Sequence, residues 1–187
     1  MTIEIVTYFS LLFFLSELVL MITKRSKKNG TKAKSDKKSL VLFWITIPLS
    51  LTIGFFTANH QEWNTLNYSI ALFGLSVFMI GIIIRWISII QLNKEFTVNV
   101  AIIKNHNLKT DGIYKNLRHP SYLGLLLIGF GLSISMNSII SIIVVTIPFL
   151  LALSYRIKTE ENILIKQFGE TYKNYMAKTY RIIPKIY

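Results

Sequence analysis

Five apolar runs, at residues 3–23, 39–58, 66–90, 121–135 and 139–155, follow one another with little sequence between them. About 20 apolar residues suffice for a helix to cross the hydrocarbon core of a bilayer. Inside that core every backbone N–H and C=O must be satisfied within the protein, which restricts a spanning segment to helix or closed barrel. The runs are continuous rather than alternating, so the chain is expected to be an all-α integral membrane protein with five transmembrane helices. The last two runs are separated only by Met136, Asn137 and Ser138, the spacing of a helical hairpin. Charged residues make up 16% of the chain against 52% hydrophobic, well below the roughly 25% charge of a soluble domain.

Charge placement sets the expected orientation. Of 21 Lys and Arg, eight lie at residues 24–38, one, Arg85, lies inside an apolar run, and the other twelve lie between Lys94 and Lys185. Basic loops stay on the cytoplasmic side, so the N-terminus is expected outside and the C-terminus inside. The net charge of +12 then reads as membrane orientation, and nucleic acid is not expected as a partner. The basic stretch at 24–38 also suits anionic lipid headgroups. Cysteine is absent, which excludes disulfides and thiolate chemistry. A division follows: residues 1–65 as two helices joined by the basic loop, and residues 66–187 as a core of three helices.

Several ionisable groups fall where they are costly. Glu17 lies within the first run, as a bundle-facing carboxylate or as part of a site. Arg85 stands near the end of the third, where it either snorkels to headgroups or serves a site. Residues 96–103 alternate like a strand, but a lone strand is not stable, so extended chain or a short interfacial helix is expected. Residues 156–168 continue the last run as an amphipathic helix with Gly169 as its C-cap. That phase puts Glu161 on the apolar face, with Arg156 and Glu160 four apart on its flank.

The densest polar cluster is GIYKNLRHPSYLG at 112–124. Pro120 suits a helix start, and Gly124, Gly129 and Gly131 would let neighbouring helices approach closely. Residues 106–122 and 156–161 together would form a juxtamembrane pocket of tyrosine, histidine, arginine and carboxylate. Such a set fits a zwitterionic, aromatic ligand, and it also fits a row of interfacial anchors with a surface ion pair. No phosphate-binding loop or HExxH pattern is present. A metal site is not expected, and no nucleophile elbow surrounds Ser121 and His119.

The spacing His106-x-Leu108, Gly112-x-Tyr114, Arg118-His119-Pro120-x-Tyr122-x-Gly124 strongly resembles the isoprenylcysteine carboxyl methyltransferases and the related phospholipid N-methyltransferases. The likeness continues through Arg156-Ile157-x-x-Glu160-Glu161-x-x-Leu164, Phe168-Gly169-x-x-Tyr172-x-x-Tyr175, Thr179 and Arg181, and includes Arg85-Trp86 upstream; it covers roughly residues 81–184. The resemblance implies S-adenosyl-L-methionine as cofactor, bound at the cytoplasmic membrane face, and a lipophilic small-molecule or lipid substrate arriving between helices. It implies cofactor contacts from His106, Leu108, Gly112, Tyr114, Arg118, His119, Pro120 and Tyr122. Arg156 with Glu160 or Glu161 would then stand at the reacting end. Ile113 departs from the family's usual proline, which is expected to loosen the turn. The resemblance leaves the acceptor, carboxylate or amine, undecided. The protein is expected to be multi-pass in a bacterial inner membrane, with its site facing the cytoplasm. The rival readings are a nicotinamide-dependent membrane reductase of the sterol reductase type and a non-catalytic lipid-binding protein.

Overall fold

The structure, a computed structural model, describes residues 3–23, 31–32, 34–59, 67–93, 101–102 and 108–183. Six α-helices are present among them: α1 (Ile3–Thr23), α2 (Lys34–Ala58), α3 (Tyr68–Leu92), α4 (Pro120–Ser135), α5 (Ile139–Phe168) and α6 (Glu170–Lys178). A 3-10 turn, Gly112–Lys115, precedes α4. Three stretches, Lys38–Ala58, Tyr68–Leu92 and Ile139–Phe168, are long and apolar enough to cross a membrane. α4 is apolar but shorter, with 16 residues, and α1 has 21.

The start of α2 differs from expectation. The basic stretch is shorter as a loop, because Lys34 already opens α2; residues 24–30 and 33 lie outside the described residues, as do His60, Trp63 and His106. Of the segment at 96–103, expected as extended chain or a short interfacial helix, only Ala101 and Ile102 are among the described residues, and as β2 they pair antiparallel with β1 (Thr31–Lys32). Each strand is only two residues long, but the ladder ties the basic stretch to the segment before the polar cluster.

α3 and α4 lie against each other backbone to backbone. A Cβ added at Gly81 would fall 2.8 Å from the Gly124 carbonyl oxygen, and one at Gly124 would fall 2.7 Å from the Arg85 amide nitrogen. Small residues on both helices permit this approach, which in lipid replaces the hydrophobic drive that water would supply. Gly129 faces the other way, onto the Phe149 ring of α5. α2 runs along α5, joined by the hydroxyls of Thr57 and Ser141 at 2.8 Å and by Ser141 Oγ donating to Gly54 O at 2.9 Å. Ile128, Leu132, Val145 and Phe149 form the buried centre. α1 packs on the outside of this group through Val6, Phe13 and an edge-on contact of Phe9 with Phe78.

α5 fuses two expected segments into one 30-residue helix. At 1.5 Å per residue it is about 45 Å long, so it outlasts a hydrocarbon core of about 30 Å and carries residues 156–168 beyond α4's first turn. Ser138 caps its start by accepting from Ser141 N, and Gly169, at φ +53°, ends it. The left-handed turn at Gly169 reverses the chain into α6, which brings the last residues back over the polar cluster.

Candidate active site

The polar cluster is fixed from three directions. Below, the 3-10 turn sits on α3: Gln91 Oε1 accepts from Ile113 N at 2.9 Å, and Tyr114 OH donates to Ser88 O at 3.2 Å. Ile113 therefore supplies an N–H that proline would lack, and the expected loosening of the turn is offset by this bond. Gly112, at φ +59°, starts the turn where a side chain would run into Gln91. Above, Tyr175 of α6 donates to Tyr114 O at 2.5 Å. Alongside, the C-terminal strand-like segment bonds the cluster main chain to main chain. Arg118 N donates to Tyr180 O, His119 N to Arg181 O, and Tyr180 N to Asn116 O, at 2.8, 3.0 and 3.0 Å.

Glu161 is the electrostatic centre of this closure. Its Oε1 accepts from Arg118 Nε and its Oε2 from Arg181 Nε, both at 2.9 Å. Arg118 also donates through Nη1 to the carbonyls of Met176 and Thr179 and to Thr179 Oγ1. The apolar-face position of Glu161 is thus explained, since its neighbours on that face are two guanidinium groups rather than lipid. His119 Nε2 stands 3.4 Å from Glu161 Oε1 but is not aligned for a hydrogen bond. Among the described residues His119 Nε2 and the buried Tyr172 hydroxyl find no hydrogen-bond partner.

The adjacent carboxylate looks elsewhere. Glu160 Oε2 accepts from Tyr122 OH at 2.7 Å. The Tyr122 ring stacks on His119 with centroids 5.6 Å apart and planes at 26°. The Arg156 guanidinium lies beside the Tyr122 hydroxyl and donates through Nη1 to Ser39 Oγ of α2 at 3.1 Å. Arg156 is 3% exposed, a depth at which a guanidinium needs partners. From Ser39 the same face of α2 continues to Phe43 and Ile47. There a small, mainly apolar groove is lined by Phe13, Phe14, Phe43, Trp44, Ile47, Pro48 and Leu125, with Glu17 at its wall.

Of the residues expected in the site, His119, Tyr122, Arg156 and Glu160 come together, with Pro120 as the first residue of α4. Arg118, Glu161, Tyr114 and Gly112 are engaged in holding the turn and the closing segment. Leu108 is half-buried beside the turn. Arg85 does not snorkel: it is buried, and its Nε and Nη2 donate to the two Glu17 oxygens at 2.5 and 2.6 Å. Ser39 and Gln91 were not singled out from the sequence, and Arg181 stood only within the resemblance, with no role given to it. For Arg181 a signal existed, because a carboxylate on an apolar face demands nearby cations.

An apolar helical bundle with an ionic cluster at one end of its helices has the make-up of a membrane protein with a polar site at its boundary. Residues 72–166 match the model of the isoprenylcysteine carboxyl methyltransferase (ICMT) family. The protein-S-isoprenylcysteine O-methyltransferase A of Arabidopsis thaliana is 29% identical over 181 residues, 94% of this chain and 89% of that one. The Schizosaccharomyces pombe enzyme of the same name is 33% identical over 114 residues, 60% of this chain and 48% of that one. The solved eukaryotic intramembrane Ras methyltransferase ICMT superposes with a TM-score of 0.66 at 26% identity, covering 77% of this chain and 52% of that chain. The chain belongs to the isoprenylcysteine carboxyl methyltransferase family and is a methyltransferase.

Proposed function

We propose that the protein transfers a methyl group from S-adenosyl-L-methionine to the carboxylate of a prenylated, lipophilic acceptor at the cytoplasmic membrane face. The observation that carries this reading is the line from Arg156 through Ser39 to the groove. A guanidinium at the polar end suits an acid, and the apolar groove one helical turn further along α2 suits its hydrocarbon tail. The family match supports the methyl donor and leaves the reductase reading without support. The concentration of basic residues at 24–38 and after Lys94 supports five crossings with the N-terminus outside, α1 and α4 completing the set. Residues 66–187 act as the methyltransferase core, and α1 and α2 from residues 1–65 pack against it.

The residues present fit such a cofactor. His119 Nε2 and Tyr172 OH are buried polar atoms with unused hydrogen-bonding capacity, and the stacked His119–Tyr122 pair offers an aromatic face. These atoms, with Glu160, would hold the polar and aromatic parts of S-adenosyl-L-methionine. When bound, the cofactor supplies a methyl group on an activated sulfonium. A carboxylate acceptor is ionised near pH 7, so the chain has no proton to remove. Arg156 orients the acceptor's oxygens by charge-assisted hydrogen bonds. Tyr122 fixes Glu160, and the Arg118–Glu161–Arg181 group holds α6 over the site so that water is excluded. Alignment of this kind lowers a bimolecular barrier by about 7–11 kcal/mol.

The test is a methyl-transfer assay on detergent-purified protein with radiolabelled donor. An S-prenylated cysteine with a free carboxylate and a phospholipid amine are the competing acceptors. Transfer to the prenylated acid, abolished by Arg156→Ala, is the expected result; transfer to the amine alone would move the reading to lipid N-methylation.

A further inference from the structure

The Glu17–Arg85 pair lies between the two parts of the site just assigned, Glu17 at the wall of the groove and Arg85 against Ser121. Arg85 is 6% and Glu17 8% exposed, in a region where an unpaired charge is costly. Both Glu17 oxygens take one side of the guanidinium, and a bidentate carboxylate fixes the plane of that group as well as its place. The remaining Nη1 donates to Ser121 Oγ at 2.7 Å and approaches Ser121 O at 3.4 Å. Ser121 is the second residue of α4, between His119-Pro120 and Tyr122. In this first turn Tyr122 N and Leu123 N both bond to His119 O. A shift of Ser121 therefore moves the stacked His119–Tyr122 pair with it. Glu17 comes from α1, which lies outside the family-matched residues 72–166.

We propose that Glu17 is a positioning residue: it locks the Arg85 guanidinium, which through Ser121 sets the start of α4 and the placement of His119 and Tyr122. The inference rests on the cofactor reading above. It makes α1 a working part of the site rather than only an anchor. A purely structural pair would affect stability and ligand affinity together, whereas a positioning pair separates them. Replacing a buried ion pair with apolar residues often restores stability, but leucines cannot orient Ser121.

S-Adenosylhomocysteine is titrated calorimetrically into wild type, Ser121→Ala, Glu17→Gln and the double variant Glu17→Leu/Arg85→Leu, with thermal unfolding followed in the same detergent. Ser121→Ala is expected to bind about tenfold more weakly, the size of one charge-assisted hydrogen bond, with its melting midpoint falling less than that of Glu17→Gln because Arg85 keeps both Glu17 oxygens. The double variant should regain the stability lost in Glu17→Gln without regaining affinity. Wild-type affinity in Ser121→Ala, or affinity recovered together with stability in the double variant, overturns the inference. Absence of binding by wild type overturns the cofactor reading itself, and the inference with it.

Discussion

Glu161 and Arg118, 43 residues apart in sequence, are joined at 2.9 Å between Oε1 and Nε, with side chains only 4% and 8% exposed. The bond links α5 to the segment entering α4. Because Arg118 also bonds the carbonyls of Met176 and Thr179, it ties both to the end of α6. The residue thus closes the site and need not touch the ligand to be required.

Removing one partner of this group leaves a buried charge without its counter-ion, which costs about 3–5 kcal/mol. Glu161→Gln is expected to lower the melting midpoint and to abolish S-adenosylhomocysteine binding. His119→Ala should abolish that binding with a smaller loss of stability than Glu161→Gln, since His119 Nε2 only approaches Glu161 Oε1 at 3.4 Å while the two arginines remain on the carboxylate. Parallel melting and calorimetry separate the two; a His119→Ala protein that binds normally would remove His119 from the cofactor site.

Arg156 and Ser39 predict a split in kinetics. Arg156→Lys keeps the charge but loses the planar fork. It should raise KM for a carboxylate acceptor by about tenfold, the equivalent of one charge-assisted hydrogen bond, while KM for the methyl donor stays near that of wild type. Steady-state titration of each substrate at saturating concentrations of the other measures this.

The α3–α4 contact allows no added atom on its glycines. A Cβ at Gly124 meets backbone rather than a movable side chain, 2.7 Å from Arg85 N and 2.8 Å from Gly81 O. Gly124→Ala is expected to destabilise by about 1–3 kcal/mol, as overpacking does. It should also weaken ligand binding, because Arg85 is displaced. Thermal unfolding of the purified variant is the check, and an unchanged midpoint would mean that the helices separate at little cost.

Tyr175 gives the cap a pH limit. Its burial pushes the phenol up from 10.0 to about 12, and the hydroxyl donates to Tyr114 O. Burial raises Tyr114 and Tyr172 as well. The unfolded chain loses these protons near pH 10 while the folded one retains them. The stabilisation from Tyr175 is therefore complete below pH 10 and is lost as the pH rises through about 12, with Tyr114 and Tyr172 following at higher pH. Phenolate absorbance during alkaline titration should rise late and coincide with loosening of α6, and Tyr175→Phe should flatten that step.

The helix bounds of α1 and the hairpin of α4 and α5 were legible because apolar run length and backbone satisfaction in lipid are local properties. The Gly169 break and the burial of Glu161 also followed from helical phase. Legibility ended where a partner is distant in sequence. Nothing within a few residues of Arg85 distinguishes a snorkelling arginine from one held by Glu17, 68 residues away. Nothing near Glu160 and Glu161 tells which is enclosed by Arg118 and Arg181 and which accepts from Tyr122. The sequence by itself determined the membrane class, the helices and the residue types of the site, because hydropathy and periodicity act over a few turns. Only the tertiary structure decided which charges pair, since in a medium that tolerates no lone charge each ion's role is set by the partner that packing brings to it.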